Sequence, residues 1–449
     1  MSTTAAGPAG PSPSAGTSAG HPPAGDWAAP VAPRPLAATV TIPGSKSLTN
    51  RELILASIAD GPSVLTEPLR ARDTDLMAAG LRALGVGIHG TDDGHGLVVV
   101  PSTLRGPAEI DAGLAGTVMR FLPPVAALAQ GPVSFDGDPH ARTRPMAQVL
   151  GALRALGVRI DDGGRGSMPF RVDGAGHVPG GVVTLDASAS SQFISALLLA
   201  GARYDHGVDI RHSGKPVPSQ PHIDMTVALL RSRGVEVDDS EPDRWQVSAG
   251  PIHALDVAIE PDLSNAAPFL AAAVVVRGEV VLTGWPVATT QPGGQLPWLL
   301  RAFGAEVTAL DGRLHVVGDG NPVGVDLDLH EVGELTPVVA AIAALASGRS
   351  FLRGVAHLRG HETDRLAALT TELTRIGADV TQTEDGLVID PQPTHGALMR
   401  TYADHRMVHA AAVVGLRTSG VTVENVATVS KTMPTFTDVW TALLAGTSA

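Results

Sequence analysis

The sequence predicts an α/β (α+β) protein of two domains, each built from three repeats of mixed helix and strand. Three observations predict it. A small polar residue ahead of an apolar helix recurs at Ser47, Thr117, Ser191, Ser264, Thr336 and Asp404, at spacings of 70, 74, 73, 72 and 68 residues. An amphipathic helix closed by glycine recurs independently at Gly85, Gly157, Gly234, Gly304 and Gly377, at spacings of 72, 77, 70 and 73 residues. Beyond each glycine the chain runs apolar, turns, and runs apolar again, the pattern of a two-stranded hairpin. Two markers with one period define a unit of helix, strand, helix and hairpin, larger than the roughly 20 to 50 residues of common solenoid repeats.

Taken in order, residues 1–34 are Ala, Gly, Pro and Ser with few large side chains. Such a composition does not offset the entropy of ordering, so a disordered tail is expected there; it lacks the basic start and apolar centre of a signal peptide. Residues 36–42 alternate like a strand. The first unit runs from Ser47 to the strand Gly96-Leu97-Val98-Val99-Val100, its second helix closing at Leu84-Gly85-Val86. The second closes at Leu156-Gly157-Val158 and the third at Arg233-Gly234-Val235, followed by Trp245-Gln246-Val247. The fourth and fifth close at Phe303-Gly304-Ala305 and Ile376-Gly377-Ala378, each followed by an apolar strand. Each closing glycine sits where a helix C-cap needs positive φ. The sixth unit stops after its second helix, residues 436–444, with no hairpin. Residues 36–42 are a candidate for the missing strand, which would put both termini in one domain. The expected division is residues 44–261 as one domain and residues 36–43 plus 262–449 as the other. Pro43 and Pro261 stand at the crossings, where fixed φ disfavours helix and suits a hinge.

Composition narrows the function. A chain of 449 residues with 44% hydrophobic content has room for two cores. No apolar run reaches membrane-spanning length: residues 269–276 are broken by Arg277, and residues 335–346 are too few. The absence of cysteine excludes disulfides, thiolate metal sites and a cysteine nucleophile, and fits a reducing cytoplasm. The histidines show no metal-site pattern. A net charge of −13 argues against nucleic-acid partners, so any anionic ligand must be held by cations gathered locally.

Those cations fall at helix starts. Pro43-Gly44-Ser45-Lys46-Ser47-Leu48-Thr49-Asn50-Arg51 puts two cations ahead of an apolar run. The unpaired N–H groups and partial positive charge of a first helical turn favour phosphate or carboxylate there. It is not a nucleotide P-loop, whose glycines would replace Ser45 and Val40. Comparable segments are Ala115-Gly116-Thr117 with Arg120, Ser190-Ser191-Gln192, Glu334-Leu335-Thr336, Glu362-Thr363-Asp364-Arg365 and Asp404-His405-Arg406. Singly, each also reads as an ordinary helix cap, and Thr336-Pro337 as a common helix start. Lys431 is compatible with a solvated cation, and His405 with a supporting hydrogen-bonding role. Arg120, inside an apolar helix, and Arg144 beside Pro145 are harder to explain that way. If the two domains face each other, all these helix ends converge on one cleft.

These motifs, with Arg144-Pro145, Asp404-His405-Arg406-Met407 and Lys431-Thr432, resemble the 5-enolpyruvylshikimate-3-phosphate synthase family, and the resemblance spans nearly everything after residue 34. It implies a two-domain inside-out α/β barrel with three βαβαββ-type repeats per domain. The implied reaction moves the enolpyruvyl group of phosphoenolpyruvate to the 5-hydroxyl of shikimate 3-phosphate by addition and elimination, releasing phosphate, on the shikimate route to chorismate and aromatic amino acids. A cytoplasmic, monomeric enzyme without metal or cofactor, acting on small anions and targeted by glyphosate, is implied with it. By the resemblance, Lys46, Gly116, Arg144, Gln192, Arg365, Arg406 and Lys431 hold phosphoenolpyruvate, mainly from the second domain's side. Lys46, Ser47, Arg51, Ser190, Ser191, Gln192, Ser219, Glu334 and His361 hold shikimate 3-phosphate, mainly from the first. Glu334 is the base and Glu362 the acid, with Lys46 and Lys431 beside the reaction.

The pattern departs from the family in several places. Glu334 stands for the usual aspartate, with Glu331 a possible rival; His361 replaces a lysine, His357 an asparagine and His222 a tyrosine. Phe121 follows Arg120 where a proline is common, and could shift the helix carrying Gly116 and Thr117. A related transferase acting on UDP-N-acetylglucosamine typically uses a cysteine, which this chain lacks. A non-catalytic anion-binding relative would not need Lys46, Glu334, Glu362 and Lys431 together.

Overall fold

A computed structural model of the chain describes residues 25–446. In its first half α1 (Lys46–Ser57), α2 (Arg72–Ala83), α3 (Gly116–Ala126), α4 (Ala147–Ala155), α5 (Gln192–Gly201) and α6 (Pro221–Ser232) alternate with three four-stranded sheets. In its second half α7 (Leu263–Val275), α8 (Leu296–Ala302), α9 (Thr336–Ala344), α10 (Arg365–Arg375), α11 (His405–Gly415) and α12 (Phe436–Ala445) alternate with two four-stranded sheets and one three-stranded sheet. The glycines that close the even-numbered helices, Gly85, Gly157, Gly234, Gly304 and Gly377, all have φ between 78° and 109°.

Sequence pattern decides which elements lie inside. Of the odd-numbered helices, α5, α7 and α9 are apolar on nearly every face and must be covered all round, as α7 is, with every residue buried, while α1 buries a polar face as well. The strands alternate instead: Leu36–Val40 and Ser63–Thr66 bury every second residue and turn the others outward. Helices therefore occupy the middle of each half and sheets its outer wall. Two separate cores result, one drawn from residues 53–252 and the other from residues 29–42 and 263–444. The fold is a two-domain α/β fold.

Each half closes on itself with a strand brought from far along the chain. Val257–Ala258 lies parallel to Leu65 and Thr66 in the first sheet. Leu36–Val40 lies parallel to residues 278–282, in the sheet of the fourth unit. The sheet of the sixth unit, Leu398–Met399 with Thr422–Val423, is completed by Trp27–Ala28, with Trp27 opposite Val423. Residues 25–34 thus depart from the expected disordered tail; residues 1–24 lie outside the described residues. Ala29 N donates to Val421 O (2.9 Å), Ala32 N donates to Leu416 O (3.0 Å), and the Arg34 guanidinium donates to Ala445 O. Trp27 packs edge-on against Phe436. Averaged composition concealed this strand because one tryptophan and a few backbone hydrogen bonds supply what its small neighbours lack.

The two crossings between the halves run side by side. Gly44 bridges Pro261 in antiparallel fashion, with Ser45 N bonded to Glu260 O and Asp262 N to Pro43 O, both at 2.8 Å. Gln291 fastens them: its amide donates to the Glu260 carboxylate (2.8 Å) and Pro261 O (2.9 Å) and accepts from Leu263 N (3.1 Å).

A fully buried ion pair ties the first unit to the third. Arg233 donates through Nε and Nη2 to Glu52 Oε2 on α1, and to Ser63 Oγ, His253 O and Leu255 O. Burial pushes the Glu52 pKa up and Arg233 only partly restores it. Removing the cation alone strands a buried carboxylate, so Arg233→Met is predicted to destabilise the first half by about 3–5 kcal/mol. The double variant Glu52→Gln/Arg233→Met should lose much less; urea unfolding of both compares them, and an unchanged midpoint in Arg233→Met would refute the prediction.

Candidate active site

The N-terminal ends of the six central helices open onto one cavity of about 350 Å³ between the halves. Lys46 and Ser47 of α1, Gly116 and Thr117 of α3, and Ser190, Ser191 and Gln192 at α5 line it from the first half. Asp262 and Ser264 at α7, Glu334 ahead of α9, and His405 and Arg406 of α11 line it from the second. The dipoles of six helices converge on this cavity and favour anions there, although Ser45, Asp262 and Asp404 already accept from first-turn N–H groups of α1, α7 and α11.

Two arginines add to that without a direct ion pair. Arg120 is 2% exposed and reaches Gln192 Oε1 (3.2 Å), stacking over Phe193. Arg144 donates to Leu114 O (3.1 Å). Among the described residues neither has a carboxylate at ion-pair distance, and each leaves a buried Nε unpartnered. Burial lowers both pKa values, and for Arg120 the nearby Arg144 adds to the effect. Gly116 makes their meeting possible: a Cβ there would lie 2.9 Å from Arg120 Nη1 and 3.2 Å from Arg144 Nη2 and Gln192 Oε1.

Of the remaining cations, Arg365, Lys46 and Lys431 are paired with carboxylates, and Arg406 is not. Arg365 holds Asp404 through Nε (2.7 Å) and Nη2 (3.2 Å) and donates to His361 Nδ1 (3.1 Å). Asp404 also caps α11 by accepting from Arg406 N, and Arg406 donates to Ser264 O (2.8 Å). Lys46 Nζ sits 3.3 Å from Asp73, and its N–H meets Asp262. Lys431 is not among the lining residues; its Nζ donates to Glu362 Oε2 (3.1 Å) and to Ala403 O. His405 Nδ1 lies 3.4 Å from the same oxygen, an ion-pair distance without hydrogen-bond geometry. Glu362, Asp404 and His405 bring three potential metal donors within 4.8 Å. Their carboxylates, however, are committed to Lys431 and Arg365.

The two acids differ from their ordinary state. Burial alone would raise Glu334, but His222 Nε2 at 3.0 Å, Arg406, and Ser264 Oγ at 2.8 Å more than offset it and hold the carboxyl well below the usual range. Glu362 is likewise held low against burial, by His405, Lys431 and Lys46. Glu331 is exposed and lines no part of the cavity, which separates it from Glu334. The His222–Glu334 contact joins the halves across the cleft, as do Ser219 N with His330 O (3.2 Å) and His140 Nε2 with Glu362 O (2.9 Å).

Arg51 departs from the expected ligand contact. It is 1% exposed, does not line the cavity, and donates to Thr226 Oγ1, Ser195 Oγ, Ser47 O and His222 O. Its guanidinium rests 5.0 Å above Phe121, and burial lowers its pKa to about 9 despite Glu334. Phe121 therefore packs behind the cavity, and α3 runs unbroken through it. His357 and His361 both line the cavity, their rings 5.6 Å apart. Burial lowers His357 to about 4, helped by His330 and Arg365, and burial with Arg365 holds His361 well below its ordinary value. Sequence reasoning missed Asp73, His140, Asp262 and Gln291; only Asp262, one residue ahead of an apolar helix, carried a readable cap signal.

Comparison with known proteins identifies the family and the fold. A sequence profile described as EPSP synthase (3-phosphoshikimate 1-carboxyvinyltransferase) matches residues 31–440. Two structures of EPSP synthase from Acinetobacter baumannii are 26% identical, with TM-scores of 0.78 and 0.77, covering 94% and 93% of this chain and 98% of theirs. The enolpyruvyl transferase NikO from Streptomyces tendae, 18% identical with a TM-score of 0.75 over 94% of this chain and 98% of its own, shares the fold.

Neutral burial of histidine has a sign. His357, His361, His405 and His409 have lowered pKa values in the fold, so below about pH 6.5 the unfolded chain binds protons that the folded chain does not. Stability should therefore fall as pH drops from 7 towards 5. Glu334 and Glu362, depressed in the fold, add loss of the same sign below about pH 4.5. Thermal midpoints of the ligand-free protein across this range test it, and a flat profile would refute it.

Proposed function

The chain belongs to the EPSP synthase family and is a transferase that carries an enolpyruvyl group to shikimate 3-phosphate; from that membership we propose how its residues divide the reaction. Lys46, Arg144, Gln192, Arg365, Arg406 and Lys431 hold phosphoenolpyruvate, with the Gly116 backbone alongside and Arg120 orienting Gln192. Lys46, Ser47, Ser190, Ser191, Gln192, Ser219 and His361 hold shikimate 3-phosphate. Arg51 is reassigned: it braces Ser195, Thr226 and the His222 carbonyl behind that site. The observation that supports this division is a pair of guanidiniums, Arg120 and Arg144, each with a buried unpartnered Nε and neither at ion-pair distance from a carboxylate, in a cavity that also gathers Glu334, Glu362 and Lys46 from both halves. Such charges call for a bidentate anion.

Glu334, ionised and fixed by His222 and Ser264, takes the proton of the 5-hydroxyl as that oxygen bonds to C2 of phosphoenolpyruvate. Glu362 delivers a proton to C3. In the empty cavity Glu362 is ionised, and the phosphate and carboxylate of phosphoenolpyruvate raise its pKa by neutralising Lys431 and Lys46 and adding negative charge nearby. In the elimination the C2–O bond to phosphate breaks, C3 returns its proton to Glu362, the double bond re-forms, and the departing phosphate takes the 5-hydroxyl proton held by Glu334, which restores the base. The clustered cations stabilise the departing phosphate.

We further place the protein in the cytoplasm as a monomer. The absence of cysteine supports that compartment, and no helix among the described residues is long and apolar enough to cross a membrane. Glyphosate is expected to compete with phosphoenolpyruvate, because Gly116 leaves space and Phe121 adds no atom to the cavity wall.

Glu362→Gln is predicted to bind both substrates yet lose turnover by about 10²–10⁴-fold. Phosphate release by the purified protein, with phosphoenolpyruvate and either shikimate 3-phosphate or UDP-N-acetylglucosamine, tests variant and substrate together. Release with the nucleotide sugar alone, or undiminished release by Glu362→Gln, would overturn the assignment.

A further inference from the structure

The strand that completes the sixth unit lies against the segment carrying Lys431. Gly25 O accepts from Val426 N (3.1 Å) and Asp26 Oδ1 from Asn425 N (3.2 Å), so the strand satisfies N–H groups at the start of the short helical turn Val426–Lys431. Asn425 stands there in the left-handed region, at φ 43°. At the other end of the same segment, the Trp27 ring meets Phe436 edge-on at 6.4 Å. Residues 25–27 thereby grip the stretch 425–436 on both sides of Lys431. A single tight turn has few hydrogen bonds of its own and holds its shape only if its ends are satisfied.

We propose that Asp26 and Trp27 are positioning residues for the transfer reaction, acting through the turn Val426–Lys431 to set the Lys431 ammonium against Glu362. The proposal rests on the reading that Lys431 and Glu362 serve phosphoenolpyruvate. Their effect is selective, because every hydrogen bond described for residues 25–32 goes to the second half of the chain, away from Ser47, Ser190 and Ser191.

Full-length Trp27→Ala, Asp26→Ala, Trp27→Phe and Lys431→Met, with a form lacking residues 1–24, are compared by phosphate release with each substrate varied in turn, and by thermal midpoint. Trp27→Ala and Asp26→Ala should lower kcat/KM for phosphoenolpyruvate about tenfold, since small misplacements of a reacting group are amplified. The KM for shikimate 3-phosphate should stay within about twofold, and the form lacking residues 1–24 should match the full chain. Trp27→Phe, which keeps an aromatic edge against Phe436, should recover most of the loss. Unchanged phosphoenolpyruvate kinetics in both alanine variants would overturn the proposal, as would a parallel decline for both substrates that tracks the thermal midpoint. No effect of Lys431→Met on phosphoenolpyruvate would overturn the reading of Lys431 beneath it.

Discussion

Positive charge held out of water is the constraint on which the centre of this molecule depends. Cations gathered in a buried cavity repel one another and lose hydration, so each must find a carboxylate or be shed. Arg365 with Asp404, Lys46 with Asp73, and Lys431 with Glu362 meet that demand within the protein. Arg120 and Arg144 do not, nor do Arg51 and Arg406; Arg51 places its donors on hydroxyls and backbone carbonyls, whereas Arg120 and Arg144 each keep an unpartnered Nε. The same demand reaches across the cleft, where the Glu334 carboxylate takes a contact from His222 of the other half.

What the sequence made legible was whatever repeats. Helix starts and closing glycines recur at short range and follow backbone chemistry alone, so the six units and the clustering of polar helix ends could be read directly. Partners across space could not. Arg51 follows Lys46 closely in the sequence and looks like its companion, yet five residues are about 1.4 helical turns, and the helix turns it inward onto Ser195 and Thr226. Arg120 looked out of place for the opposite reason, being charged inside an apolar helix, and it is the one that reaches the cavity. Asp73 and Gln291 give no local signal, because their importance comes from elements that sequence distance hides.

The substituted positions share a wall. His222, His357 and His361 stand together where the resemblance leads one to look for tyrosine, asparagine and lysine. With His357 and His361 held neutral by burial, this wall offers the cavity ring nitrogens that donate or accept according to tautomer, while the opposite wall keeps permanent guanidinium charge. Phe121 belongs to the same adjustment one layer back, supporting the guanidinium that braces the His222 carbonyl.

The adjoining crossings at residues 43–45 and 260–262 make the first half an insertion within the second, and this sets the order in which the protein can assemble as it is synthesised. Trp27–Ala28 and Leu36–Val40 leave the ribosome before the inserted half, yet their partners at Thr422–Val423 and residues 278–282 are made only after it. The inserted half has all its strands once Val257–Ala258 emerges and can fold while the outer half is still being translated. For most of synthesis the leading strands have no sheet to join, which makes their small, proline-rich surroundings a protection against premature pairing.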